Sequence, residues 1–340
     1  GLNYDFGTNS IGAKYTFQRT PKSHYSGNAK SVIDYQGTED VIASISDLYN
    51  QSSMHHVNTF GSFALPVSIW LRIDADYVKS YRTSNSGVDE NNSTNMVYNS
   101  NVSKASLWSG KIVLSRKISK VEIEAGSEIS YTRNNQDYLG ASTGNLDFIT
   151  PETDNVKQYL YAGFVSFNWT PNNIWNMYGG LRLESTNTDF RQNNVLREDL
   201  SKSYTDLLPN LGISFNSSIR MSLFYRASVS RPGYQSLDNT YVYVTPTLWE
   251  TGNPELRSTL RHKIGLNLYY KKFILQSSFT MNKRNVTSIY RYDNTDRINV
   301  VQPVNLPDYN SFQLVAVQQL DFGFWHPTIQ GVFYVQDLKY

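Results

Sequence analysis

A two-residue rhythm of apolar and polar side chains runs through most of this chain, and it limits the fold more than any other feature. Residues 120–132 place Val121, Ile123, Ala125, Ile129 and Tyr131 on one face of an extended segment. Glu122, Glu124, Gly126, Glu128 and Ser130 occupy the other. A helix would mix these two sets, whereas a strand keeps them apart. Segment 67–77 repeats the pattern: Val67, Ile69, Leu71, Ile73, Ala75 and Tyr77 alternate with Ser68, Trp70, Arg72, Asp74 and Asp76. In 175–184, Trp175, Met177, Gly179, Leu181 and Leu183 oppose Asn176, Tyr178, Gly180, Arg182 and Glu184. In 219–229, Ile219, Met221, Leu223, Tyr225, Ala227 and Val229 oppose Arg220, Ser222, Arg226 and Ser228. Looser versions occupy 10–19, 104–117, 157–169, 262–270, 273–281 and 311–324.

The breaks between these segments come in two lengths. Short turns fall near Gly7-Thr8-Asn9 and at Leu65-Pro66, Ser119-Lys120, Pro171-Asn172-Asn173, Ser217-Ser218, Lys271-Lys272 and His326-Pro327. Between them lie long polar stretches, roughly 20–53, 82–103, 134–156, 191–203, 231–258 and 285–308. These are rich in Asn, Ser, Thr, Asp and Gly and read as exposed loops. Short turns at one end and long loops at the other are the asymmetry of outer-membrane barrels, with the short turns periplasmic. No stretch approaches 18 apolar residues, so no transmembrane helix is expected. The 25 Tyr, 16 Phe and 6 Trp among 340 residues suit strands with aromatic ends. The expected fold is all-β: an antiparallel transmembrane outer-membrane β-barrel with about 14 strands in this chain, embedded in outer-membrane lipid.

In that register the membrane interfaces and the interior can be placed. Tyr159 and Trp169 lie ten residues apart on one face. At ~3.3 Å per residue and a tilt of about 40°, this is about 25 Å of height, the thickness of an apolar band between aromatic girdles. Trp169, Trp175, Tyr270 and Phe273 are expected in the periplasmic girdle, and Tyr77, Tyr131 and Tyr159 in the outer one. Arg72, Asp74, Asp76, Lys111, Glu122, Glu124, Glu128, Arg182, Glu184, Arg220 and Arg226 are expected to face the lumen. Arg or Lys at the midplane of the lipid face would cost about 2–4 kcal/mol each. A charged wall fits either a gripped, removable plug or a wetted channel with charges paired across strands.

The long stretches are the natural ligand surface. The stretch 231–258 holds Arg231, Tyr234, Gln235, Tyr241, Tyr243, Trp249 and Asn253, whose rings and amides suit a bulky amphipathic ligand. The same residues suit a loop that packs on itself or on the wall. Enzymatic constellations are not recognisable. The chain has no cysteine, which removes disulfides, thiol nucleophiles and Cys-ligated metals. Adjacent His55 and His56 would face opposite sides of a strand and cannot chelate one metal together. No cofactor is expected, and a net charge of +2 gives no electrostatic footprint for nucleic acid.

The segment from Ser203 to Tyr290 carries three stretches in order. They are Tyr204-Thr205-Asp206-Leu207-Leu208-Pro209 at a strand start, then Arg231-Pro232-Gly233-Tyr234-Gln235-Ser236-Leu237, then Gly252-Asn253-Pro254-Glu255-Leu256. This order resembles the barrel half of TonB-dependent outer-membrane transporters, in particular the Bacteroidota-type outer membrane protein β-barrel family. The specific part covers about a quarter of the chain. Arg257-Ser258-Thr259 follows where the family usually has a Pro-Glu pair. The resemblance implies a plugged barrel of about 22 strands. At ~50 residues per hairpin such a barrel needs roughly 550 residues before any plug is added. Residues 1–340 are therefore expected to be a partial barrel, without the N-terminal plug domain, signal peptide, TonB-contacting segment or final strands.

The implied function is active uptake of a scarce ligand, such as a siderophore, glycan or peptide, through a plug moved by TonB–ExbB–ExbD. Some relatives work with a surface lipoprotein, although no residue here requires one. Two other readings use the same features: a passive 14-strand channel, and a structural barrel that scaffolds an envelope complex.

Overall fold

The alternating segments become strands, and each short turn becomes the link between two of them. The computed structural model describes residues 1–35, 38–91, 95–143, 151–293 and 298–338. The chain forms β1 (Leu2–Phe6), β2 (Asn9–Tyr35), β3 (Thr38–Leu65), β4 (Ile69–Glu90), β5 (Asn95–Ile118), β6 (Val121–Ser142) and β7 (Glu152–Trp169). It continues with β8 (Trp175–Gln192), β9 (Val195–Leu196), β10 (Lys202–Asn216), β11 (Ile219–Ser230), β12 (Tyr241–Thr245) and β13 (Leu248–Thr251). The last are β14 (Thr259–Tyr270), β15 (Phe273–Lys283), β16 (Val286–Asp293), β17 (Ile298–Asn305), β18 (Tyr309–Gln319) and β19 (Thr328–Asp337).

Fourteen of these strands follow one path, β1 to β8, then β10, β11, β14, β15, β18 and β19, with short β9 attached to β8. Every pairing along the path is antiparallel, and each strand pairs with the next strand of the path in chain order. The seven expected short turns all join successive strands of this sheet. Ser119 and Lys271 sit in tight turns with φ of 54° and 51°, the conformation that lets a short hairpin match the twist of its strands.

The expected loops at 20–53, 82–103 and 134–156 are corrected. They are mostly strand: β2 has 27 residues and β3 has 28, and their pairing continues from the short turns up to Tyr35 and Thr38. Residues 144–150 lie outside the described residues. The ladder is a main-chain structure and needs no apolar face. Once both faces are polar, hydropathy alternation disappears while the hydrogen bonds persist. Pro21, which has no N–H to donate, coincides with the register shift between Thr20 and Ser23. The stretches 231–258 and 285–308 do leave the large sheet. They supply β12, β13, β17 and β16, a second sheet in that order, with β13 and β17 parallel.

Packing on the large sheet is fitted across strands. Tyr178, Gly212, Phe224 and Gly265 are successive register partners on β8, β10, β11 and β14. Each ring lies over the next strand's glycine: a Cβ on Gly212 would sit 2.4 Å from the Tyr178 ring, and one on Gly265 2.4 Å from the Phe224 ring. The rings shield backbone that glycine would leave open. Gly212→Val should displace Tyr178 and cost about 1–3 kcal/mol through overpacking. The measurement is the thermal midpoint of the heat-modifiable folded band on electrophoresis, which should fall in Gly212→Val and hold in Gly163→Val, where a Cβ meets nothing within 4 Å.

Candidate functional site

One face of the large sheet gathers the charges and the other the aliphatic side chains. On β8, Leu183 is 53% exposed and Glu184 only 5%. Arg72 of β4 pairs with Glu124 of β6, reaching over β5. Arg182 of β8 pairs with Glu128 of β6 at 3.1 Å, reaching over Ala162 of β7, and with Glu184 at 2.9 Å. Side chains can bridge alternate strands only from the same face. Asp76 accepts from His56 at 2.8 Å, Asn58 at 2.9 Å and Ser109 at 3.3 Å. Lys111 stands over the Phe164 ring at 5.5 Å, and Arg220 over Tyr269 at 5.6 Å. Asp74 lies opposite Lys111 in register. Asp74, Glu122 and Arg226 join no ion pair among the described residues.

The aromatic residues order themselves as well. Tyr77, Trp108, Tyr131 and Tyr159 are successive register partners across β4 to β7. Ring centroids are 4.2 Å apart for Tyr77–Trp108 and 4.9 Å for Tyr131–Tyr159. Trp108 completes this row and was hidden in a segment of looser alternation. Toward the short turns, Trp175 packs on Phe215 at 4.9 Å, Tyr270 lies opposite Phe273, and Trp169 opposite Met177.

The stretch 231–258 folds onto the charged face and is held there along its length. Arg231 joins Glu184. A single-turn 3-10 helix, Tyr234–Leu237, then lies against the wall. The Tyr234 hydroxyl donates to Gln158 at 3.3 Å, its carbonyl accepts from Gln136 at 2.9 Å, and Gln235 accepts from Arg82 at 3.1 Å. Leu237 and Leu256 are buried with Val156, Phe190 and Leu200. Farther along, Tyr243 and Trp249 meet edge to face at 5.1 Å and form a core with Val88, Val97 and Val300. Each side chain buried this way contributes about 1.5–3 kcal/mol. Asn253 donates to the Pro303 carbonyl at 3.0 Å, tying the stretch to β17. Tyr241 is exposed at the edge of the second sheet.

Trp249 and Arg231 are thus spent on docking the stretch, while Gln235 and Tyr243 also line a cavity of about 610 Å³ between the second sheet and the upper ends of β3 to β6. Three further anchors lie in segments whose alternation hydropathy does not show. Lys202 donates to the carbonyls of Pro254 at 2.5 Å and Leu256 at 3.0 Å, and burial lowers its pKa to about 8. Glu90 accepts from the buried Tyr243 hydroxyl. Asp154, only 2% exposed, accepts from the Asn239 N–H at 3.1 Å. Burial, and then the neighbouring Asp238 carboxyl, push its pKa up to about 8. The signal for these residues is present in β6, where Asn134, Gln136 and Tyr138 are all buried: every second residue, but polar.

The family described as outer membrane protein beta-barrel family matches residues 70–340. No curated protein matches the chain. Among solved structures, the chain is similar to the pyoverdine outer membrane receptor FpvA of Pseudomonas aeruginosa PAO1, with a TM-score of 0.53 and 8% identity over 97% of this chain and 57% of that one. It is similar to the RagAB peptide importer, with a TM-score of 0.50 and 11% identity over 97% of this chain and 49% of that one. The chain spans about half to two thirds of the length of the solved structures it matches, and at these identities the likeness is one of fold. The fourteen-strand antiparallel sheet, its alternating faces and the match over most of its length agree: this chain belongs to the outer membrane protein β-barrel family and lies in the outer membrane.

Proposed function

We propose that this chain forms part of the wall and the outer mouth of an importer that takes up a scarce ligand through a plugged barrel driven by TonB–ExbB–ExbD. The observation that carries this reading is the second sheet. It is a folded structure, anchored by buried side chains over the charged face, at the end of the wall opposite the short turns. A passive channel gains nothing from so constrained a mouth, whereas ligand capture requires preorganised walls. The resemblance of the 203–290 motifs to TonB-dependent transporters adds the plug, which on this reading belongs to the same polypeptide. A surface lipoprotein fits the same reading without being required by it.

On this account the charged face lines the interior, where Arg72, Glu124, Glu128, Arg182 and Glu184 offer paired charges that a plug can contact and release. The aliphatic face meets lipid, and the Tyr77–Trp108–Tyr131–Tyr159 row marks the outer interface. The ligand meets the side chains left open on the outer stretch, chiefly Gln235 and Tyr241.

Conductance of the whole polypeptide in a planar bilayer tests the function. A plugged importer stays closed, whereas an open ohmic pore would establish the passive channel instead. Leu181→Arg places a cation on the lipid face at a cost of about 2–4 kcal/mol. It should reduce membrane insertion, while Arg182→Leu should insert normally; the opposite result would invert the faces. Asp154 supplies a pH test. Its carboxyl titrates near 8 in the folded protein, well above the ordinary aspartate range of about 4. The folded state therefore holds the extra proton between these values, and docking of the outer stretch weakens as pH rises from about 4 to 8. Limited proteolysis within 231–258 should speed up over that range, and Asp154→Asn should flatten the dependence.

A further inference from the structure

The aliphatic face of the large sheet changes character one step outside its aromatic row. Two residues farther from the short turns than Tyr77, Trp108, Tyr131 and Tyr159, the same face carries Lys79, Ser106, Arg133 and Lys157, again successive register partners across β4 to β7. His55 of β3 and Asp189 of β8 close this row at its two ends. Lys79 and Arg133 are exposed and Lys157 is partly buried. Arg133 donates to Asn135 at 3.4 Å, and none of these cations joins an ion pair among the described residues. Arg133 and Lys157 lie directly opposite each other, an arrangement in which like charges repel. The carboxylate of the row, Asp189, lies beyond Lys157, and Asp137 farther out is held by Lys104 at 3.7 Å. Over β4 to β8, the short-turn end of this face carries one strand cation among the described residues, Arg116.

The aromatic row says what this basic row meets. Tyr and Trp rings settle where hydrocarbon gives way to headgroups. The cations stand about 6–7 Å farther along each strand, at the depth of the headgroups. Below them Ile112 and Ile129 are exposed on the same face and offer an apolar surface to acyl chains. Lys79 to Lys157 spans three strand spacings of about 4.8 Å, wide enough to hold separated anionic groups of one lipid. Ser106 stands between Lys79 and Arg133 with a hydroxyl to donate, and the Arg133 guanidinium has the fork that fits a phosphate. A freely dissolved anion would find these exposed charges screened by salt, whereas a lipid is kept beside them by its chains.

We propose that Lys79, Ser106, Arg133 and Lys157 form a docking site on the outside of the wall for an outer-leaflet lipid whose headgroup carries separated phosphates. The phosphates relieve the repulsion between Arg133 and Lys157, the Tyr131–Tyr159 pair packs beneath the headgroup, and the chains lie along the aliphatic face. The proposal rests on the assignment of that face to lipid and needs nothing of the import reading. The bound lipid fixes the depth of the wall in the membrane from the outer side.

The test is native mass spectrometry of the whole polypeptide released from detergent, titrated with phosphorylated lipid A, with the same lipid stripped of its phosphates, and with inorganic phosphate as competitor. The phosphorylated lipid should bind, the stripped lipid should bind much more weakly, and inorganic phosphate should not displace the first. Each cation near an anionic headgroup contributes about a factor of five, so Lys79→Gln, Arg133→Gln and Lys157→Gln together should weaken binding by about 100-fold. Arg116→Gln, at the other end of the same face, should leave it unchanged. If the triple variant loses its heat-modifiable folded band, Lys79→Gln alone, on an exposed side chain, should show the single factor of about five. No binding of the phosphorylated lipid, equal binding of the stripped one, displacement by inorganic phosphate, unchanged binding in the Lys79 and triple variants, or an equal loss in Arg116→Gln would overturn the proposal. The Leu181→Arg and Arg182→Leu pair separates the readings: inverted insertion overturns the face assignment and this site with it, whereas the expected insertion without a phosphate-dependent adduct overturns the site alone.

Discussion

Lipid offers no hydrogen bonds, so every backbone N–H and C=O that crosses a bilayer must be paired within the protein. Between its two edge strands the large sheet meets that requirement with antiparallel pairing through short turns, and the remaining features follow from it. Ladder pairing fixes the two-residue period. The period divides each strand into an aliphatic face and a charged face. Because consecutive strands pair in register, like side chains then line up across the sheet, which is how Tyr77, Trp108, Tyr131 and Tyr159 form one row. The same alignment lets Arg72 and Arg182 reach carboxylates two strands away.

Charges on the inner face are tolerable because they are paired. Breaking one member of a buried pair leaves the other uncompensated and costs up to about 3–5 kcal/mol. Glu184 is the clearest example: its side chain is 6% exposed and it holds Arg182 on one side and Arg231 on the other. One carboxylate thereby links the wall to the stretch that covers it. Farther out, apolar burial takes over, with Trp249, Tyr243, Leu237 and Leu256 in two clusters against the wall.

The membrane-spanning part of the fold was legible in the residues because one face there is consistently apolar: Leu181 and Leu183 against Arg182 and Glu184 suffice to identify β8. All seven short turns were legible too, since they interrupt that pattern. The strand extensions were not. In β2, β3 and the upper half of β6 both faces are polar, so Asn134 and Gln136 look like loop residues until their partners are known. The ion pairs were legible only as a shared face; which carboxylate meets which arginine depends on the register between strands. Arg231, Tyr243 and Trp249 read as ligand chemistry because aromatics and arginine serve docking and recognition alike, and only burial distinguishes the two uses.

The central claim is that even-numbered residues of β8 face a polar interior and odd-numbered ones face lipid. The chain has no cysteine, so single cysteines can be introduced and spin-labelled one at a time from Met177 to Glu184 in reconstituted bilayers. Collision rates with oxygen, which concentrates in lipid, should peak at 177, 179, 181 and 183, and those with a water-soluble nickel chelate at 178, 180, 182 and 184. An inverted or absent alternation would contradict the account.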